Sequence, residues 1–236
     1  MAETVEVVVV RVFADEDGGH GNELGIIRSS ALTEGREQTI ATGLGFSETV
    51  FVDAVEPVAA DASDGRVGRI RIFTPAVELP FAGHPSVGTA WWLAHEGTPV
   101  TTLREAAGDV AVGNDEETTW ITARAEWAPE FEWIPLDSPA DVDAVDPARF
   151  TDGHHYAYAW IDQDAGHIRS RMFAPQMGIV EDEATGAAAV RVTALLGRDL
   201  RISQGAGSEL VTALAGDGLI RVGGRTVFDR TLSVAL

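Results

Sequence analysis

Glu48 stands directly before the apolar run Thr49-Val50-Phe51-Val52. His84 lies in Gly83-His84-Pro85-Ser86, and Asp182 in Glu181-Asp182-Glu183-Ala184-Thr185-Gly186-Ala187, each where a polar glycine turn runs into small residues. A carboxyl whose pKa burial raises towards neutrality can accept a proton and give it back, which a hydrogen shift along a conjugated system or beside a carboxylate requires. Glu48 reads either as such a group or as an exposed strand-end carboxylate. His84, at an expected helix N-terminus, can donate to a substrate carboxylate or hydroxyl while the helix amides hold negative charge, or it caps its own turn. Pro85 and Ser86 beside it agree with a helix start. Asp182 reads equally as a partner for a substrate amine or hydroxyl and as a cap for the helix beginning near Thr185.

These groups belong to a repeat. Arg71-Ile72-Phe73-Thr74-Pro75 returns one hundred residues later as Arg171-Met172-Phe173-Ala174-Pro175, and each copy runs from a strand through a proline break and a glycine turn into a small-residue helix. Two such units suggest a duplicated architecture with two helix N-termini facing one cleft. Strands are expected over residues 5–13, 49–55, 69–73, 156–161 and 167–173, with a hairpin loop at 59–68 and a series of short strands from Leu200 to the end. Helices are expected over 33–44, 85–94 and 187–196, the first and last closed by Gly45 and Gly197. The acidic, proline-containing stretch 135–147 reads as a surface loop or linker. His154-His155 reads as a loop pair rather than a metal site, because adjacent strand residues point to opposite faces. The tryptophans, Trp91, Trp92, Trp127 and Trp133 among them, read as core or interface residues.

With 236 residues, 45% of them hydrophobic, the chain can bury a substantial core. The repeat divides it into halves at 1–113 and 114–236, with the C-terminal strands free to return to the first half. The excess of 37 acidic over 17 basic residues, a formal charge of -20, repels nucleic acid and anionic membrane surfaces, so neither is an expected partner. All the basic residues are arginine, which fits a high-salt cytoplasm or biased codon usage. Without cysteine there is no disulfide, thiolate metal site or thiol nucleophile, and no metal is expected. Neither a long apolar run nor a secretion signal is apparent, so a cytoplasmic protein is expected. A homodimer is the expected assembly on frequency alone.

Ser47-Glu48-Thr49-Val50-Phe51-Val52, Phe73-Thr74-Pro75 followed by Glu78-Leu79-Pro80-Phe81-Ala82-Gly83-His84-Pro85, and Glu181 to Gly186 together resemble the phenazine-biosynthesis PhzF-like isomerase family. Val12-Phe13 with Gly21-Asn22, and Ser203-Gln204-Gly205, follow the same order, so the resemblance spans nearly the whole chain. It implies an α+β, diaminopimelate-epimerase-like fold, with two pseudo-symmetric halves that each wrap strands around a central helix and a site in the cleft between them. Related epimerases use one cysteine from each half, which this chain lacks; in PhzF-like isomerases a glutamate in the Ser-Glu-Thr motif moves the proton, and that position is Glu48. The resemblance makes Asn22, Gly83, His84, Pro85, Ser86, Asp182, Thr185, Gly186 and Ala187 the substrate-binding set. Two departures point away from the phenazine precursor, to a different small acid or a site with reduced activity: Ala187 replaces a common serine, and Asn22-Glu23 an expected Asn-Pro. The expectation is a cofactor-independent isomerase acting on a small carboxylated metabolite. The alternative is a non-catalytic small-acid binding protein that retains the fold. A hydrolase or lyase has no nucleophile motif to support it.

Overall fold

A computed structural model describes residues 3–58, 65–115 and 117–235, so part of the loop expected at 59–68, residues 59–64, lies outside the described residues. The chain begins with β1 (Thr4–Ala14), β2 (Asn22–Arg28), α1 (Glu37–Leu44), β3 (Glu48–Pro57), β4 (Arg66–Phe73), β5 (Glu78–Leu79), α2 (Gly83–His95), β6 (Thr102–Glu105), β7 (Gly108–Asp115) and β8 (Thr118–Arg124). It continues with β9 (Glu132–Pro135), α3 (Pro139–Asp143), β10 (His155–Asp162), β11 (His167–Ala174), β12 (Ile179–Asp182), α4 (Gly186–Leu196), β13 (Leu200–Gln204), β14 (Ser208–Gly216) and β15 (Leu219–Ala235).

Strand pairing repeats. β2 and β3 are parallel, β4 is antiparallel to β3 and β5, and β6 lies parallel to β4 before antiparallel β7 and β8. The same senses recur in β9 to β15: β9 parallel to β10, β11 antiparallel to β10 and β12, β13 parallel to β11, then antiparallel β14 and β15. In each series the helix follows the short strand, α2 after β5 and α4 after β12. This is the α+β, epimerase-like arrangement of two pseudo-symmetric halves. β15 joins them: residues up to Gly224 pair with β8 and β14, and from Arg225 onward the strand pairs with β1. The first sheet thereby closes through β1-β2-β3-β4-β6-β7-β8-β15 back to β1.

Both central helices are composed for burial on most sides. In α2 every residue from Gly83 to Ala90 is buried, together with Trp92 and Leu93. A side chain at Gly88 would meet Val12 at 2.6 Å and Leu24 at 2.7 Å, so glycine is what lets the strands close on the helix. The valine run of β1 serves two layers, with Val10 and Val12 facing the α2 core and Val7 and Val9 the cluster under α1.

The stretch 135–147 is not a free linker. Ser138 caps α3, Pro139 occupies its first turn, and Val142 is fully buried against Ala157, Ala159 and Phe173. β2 is a strand where no strand was expected: Leu24 and Ile26 enter the α2 core while Ile27 enters the α1 cluster, so burial on both faces erases the alternation that marks a strand.

Candidate active site

The N-termini of α2 and α4 meet through glycine. A Cβ on Gly83 would lie 2.7 Å from Gly186 Cα, and one on Gly186 would lie 2.8 Å from Gly83 Cα, so neither position tolerates a side chain at this separation. Neither helix has a side-chain cap: His84 does not close its own turn, and Asp182 does not cap α4. The first-turn amides of both helices therefore remain available to an anion.

Glu48, the first residue of β3, reaches the same place, and its Oε2 lies 3.5 Å from His84 Nε2. Both atoms are buried and have no hydrogen-bond partner among the described residues. Glu48 is 8% exposed, and burial, opposed by the Ser47 hydroxyl, pushes its carboxyl up to about 7. Burial drives the His84 ring down to about 4, against the pull of Asp182 and the backbone of Glu23, so it is neutral at pH 7. Asp182 is raised to about 6, first by burial and then by the charge of Glu48. An uncharged ring thus faces two carboxyls whose protonation changes near neutrality.

Asn22 and Thr185 hold Asp182. The Asn22 amide donates to Asp182 Oδ1 at 2.7 Å and to the Ala184 carbonyl at 3.0 Å, and the Thr185 hydroxyl donates to Asp182 Oδ2 at 2.5 Å. Gln204, fully buried, donates to Thr185 Oγ1 at 2.8 Å and to the Asp182 carbonyl at 3.1 Å. Ser47 donates to Asn22 Oδ1 at 3.2 Å, linking the Glu48 strand to this network.

Glu48, Asp182, Thr185 and Ala187 line a cavity of about 460 Å3, where Ala187 places a methyl group. Ser86 is not brought to them. Its Oγ lies 2.7 Å from the Ala82 carbonyl and 2.6 Å from Glu105 Oε1. The hydroxyl has one proton for two acceptors, so the second contact needs a proton on Glu105, whose carboxyl burial pushes up to about 8. Pro85 is buried in the first turn of α2.

Most of the cavity wall was not read from the sequence as part of a site. It comprises Phe81, Trp127, Phe131, His154, Met172, Met177 and Ile179 among others. Trp127 is a wall residue rather than simple core. His154 and His155 diverge as strand neighbours do: His154 lines the cavity with Nε2 3.1 Å from the Met177 sulfur, whereas His155, at the start of β10, stacks on Phe150 at 4.3 Å. Apolar residues scattered over β5, β11, β12 and the loops converge only through the duplication, and the available signal was their place beside the two repeat motifs.

A family model described as "Phenazine biosynthesis-like protein", PhzC-PhzF, matches residues 10–146 and 134–224. The chain belongs to this PhzF-like isomerase family. It is 32% identical over 241 residues to a trans-2,3-dihydro-3-hydroxyanthranilate isomerase of Pseudomonas aeruginosa, an alignment covering 86% of this chain and 84% of that one. With the like-named isomerase of Pseudomonas chlororaphis it shares 32% identity over 216 residues, 76% of this chain and 75% of the other. Among solved structures it resembles a PhzF-family protein of Bacillus anthracis, with a TM-score of 0.78 and 20% identity over 99% of this chain and 100% of that one. A hydroxyproline epimerase of Agrobacterium vitis shares the fold at a TM-score of 0.63 and 13% identity, over 100% of this chain and 94% of that one. The PhzF-like fold thus extends to epimerases. Among the described residues no helix is long and apolar enough to cross a membrane.

Proposed function

We propose that this PhzF-like isomerase moves a proton between two carbons of a small carboxylated metabolite without a cofactor, with Glu48 as general acid and base. The observation that carries this reading is the pair of buried, unpartnered atoms Glu48 Oε2 and His84 Nε2 at 3.5 Å. Buried polar atoms are seldom left unpaired, and since Glu48 lines the cavity with His84 directly behind it, the pair marks a place for substrate atoms.

Ionised Glu48 takes a proton from a carbon activated by the substrate carboxylate or by conjugation. The electron pair left behind moves along the conjugated system, and the protonated carboxyl returns the proton to another carbon. Substrate and product are isomers, so no other reactant is needed. The uncapped first turns of α2 and α4 hold the carboxylate and the charge that grows on it. Neutral His84 serves as a hydrogen-bonding partner, and Asp182, fixed by Asn22 and Thr185, receives a substrate amine or hydroxyl. The Pseudomonas relatives named above act, by their names, on a hydroxylated, carboxylated ring. The same class of compound is the starting point here, with Ala187 in the wall in place of a hydroxyl.

The test follows candidate acids by mass spectrometry in deuterated water with wild type and Glu48→Gln. The variant should bind the acids as wild type does and lose deuterium incorporation by at least about a hundredfold, the low end of general acid-base contributions. Incorporation retained in Glu48→Gln removes Glu48 from the mechanism. Binding with no incorporation by wild type would instead describe a small-acid binding protein.

A further inference from the structure

We infer that the ligand of this cleft is a monocarboxylate bearing a bulky apolar or aromatic group, seated against Phe81, Trp127, Phe131, Met172, Met177 and Ile179. That it is also the compound isomerised rests on the proton-transfer reading above; the ligand class rests on the wall itself.

The cavity of about 460 Å3 lies in the range, roughly 300–1,000 Å3, of pockets that bury a ligand of many atoms. Its chemistry is uneven. Glu48, Asp182 and Thr185 are joined on the remaining wall by apolar side chains almost throughout, with His154 and Gln176 the other polar residues lining it. Aromatic rings build much of that wall, Phe81 lying 5.9 Å from Trp127 and Phe131 5.8 Å from the His154 ring. Burial lowers the His154 pKa and so disfavours a charge there, and its Nε2 faces the Met177 sulfur. At the rim Val77 is 51% exposed, an apolar side chain left without cover.

Charge sets the other half of the recognition. Among the described residues no arginine lines the cavity, and the chain has no lysine. One carboxylate can be met by helix-terminal amides, but a phosphate or a second carboxylate would face Glu48 and Asp182 uncompensated. A sugar acid or polar amino acid of the same size would leave the aromatic wall wet and, beyond the one amine or hydroxyl that Asp182 receives, its polar groups without partners. A monocarboxylate with an apolar body satisfies both ends.

The experiment measures binding by tryptophan fluorescence and thermal shift, at fixed ionic strength, for acetate, benzoate, 3-phenylpropanoate and indole-3-acetate, with malonate and inorganic phosphate as polyanions. Affinity should rise by roughly fourfold for each methylene equivalent buried, so the largest acids exceed acetate by at least about a hundredfold. Trp127→Ala should weaken the large acids by at least tenfold and leave acetate unchanged. Met177→Gln, which keeps the side chain's length, gives the same comparison if Trp127→Ala fails to fold. Affinity that is flat or falls with size, tighter binding of malonate or phosphate, or indifference to both wall variants overturns the proposal. Running each acid in deuterated water separates the two readings. Wall-dependent binding without exchange of any acid leaves the ligand class standing and removes proton transfer. Exchange confined to small polar acids does the reverse.

Discussion

Glu48 and Glu105 are held where ionisation is costly, and each therefore ties stability to pH. For Glu48 the folded value, about 7, lies above the ordinary glutamate value of 4.5, so the folded chain binds more protons than the unfolded one between those limits. Stability contributed by this group is present in full below about pH 4.5 and falls as pH rises through 7. Glu48→Gln, which stays neutral, should match wild type near pH 4 and exceed it by up to about 3 kcal/mol at pH 8, read as the difference in unfolding free energy from denaturant titration. Glu105 behaves alike over a wider window, from 4.5 to about 8, with burial as the main cause. Glu105→Gln can still donate to Ser86 and should keep activity while the advantage over wild type grows up to pH 8; equal stabilities across that range would show Glu105 ionised in the folded protein. His84 has the opposite sign: its ring, pushed down to about 4, makes the fold lose stability as pH drops below 6.5.

At the scale of elements, the contact of α2 with α4 positions the site, and it depends on two glycines. Gly186→Ala sets a methyl 2.8 Å from Gly83 Cα, closer than the helices allow, and should cost about 1–3 kcal/mol while lowering turnover more than the stability loss explains. Gly43→Ala in α1, which meets nothing within 4 Å, should be neutral or stabilising, so thermal melts and turnover of the two variants form a matched comparison. The repeat made these elements legible. Arg71 and Arg171 both fork onto a glutamate of the following short strand, Glu78 at 2.8 and 3.0 Å and Glu181 at 2.7 and 2.6 Å. Each also lies over the phenylalanine two residues on, Phe73 or Phe173. The motif around Glu48, His84 and Asp182 could be read because its residue types carry chemistry. β2 could not: its Gly25 accommodates the Phe46 ring and its apolar residues serve two cores, so neither propensity nor period survives. α3, five residues long, was too short for a period, although Ser138 before Pro139 was a usable start signal. The cavity wall has no motif at all, because it is assembled from separate elements by the fold.

For the whole molecule, the closing strand and the charge dominate. β15 carries the chain from the second half back onto β1, so removing the residues after Gly224 takes away a neighbour of β1 and opens the ring around α2. Such a truncated chain should lose its cooperative melt. The charge of -20 is spread over a single chain and repels itself at low salt. The melting temperature should rise between about 10 mM and 1 M salt as the screening length falls from about 30 to 3 Å; a midpoint independent of salt would mean that the ion pairs already balance the surface. Catalysis by Glu48 turns on one proton on one carboxyl, and the rate of deuterium incorporation into a bound carboxylic acid reads it, measured as kcat/KM between pH 5 and 9 in wild type and Glu48→Gln. Wild-type incorporation should rise with pH through an apparent pKa near 7, as Glu48 must be ionised to take the proton, and Glu48→Gln should show no pH-dependent rate above background. A wild-type profile flat across neutrality, or the same rise in Glu48→Gln, would contradict it.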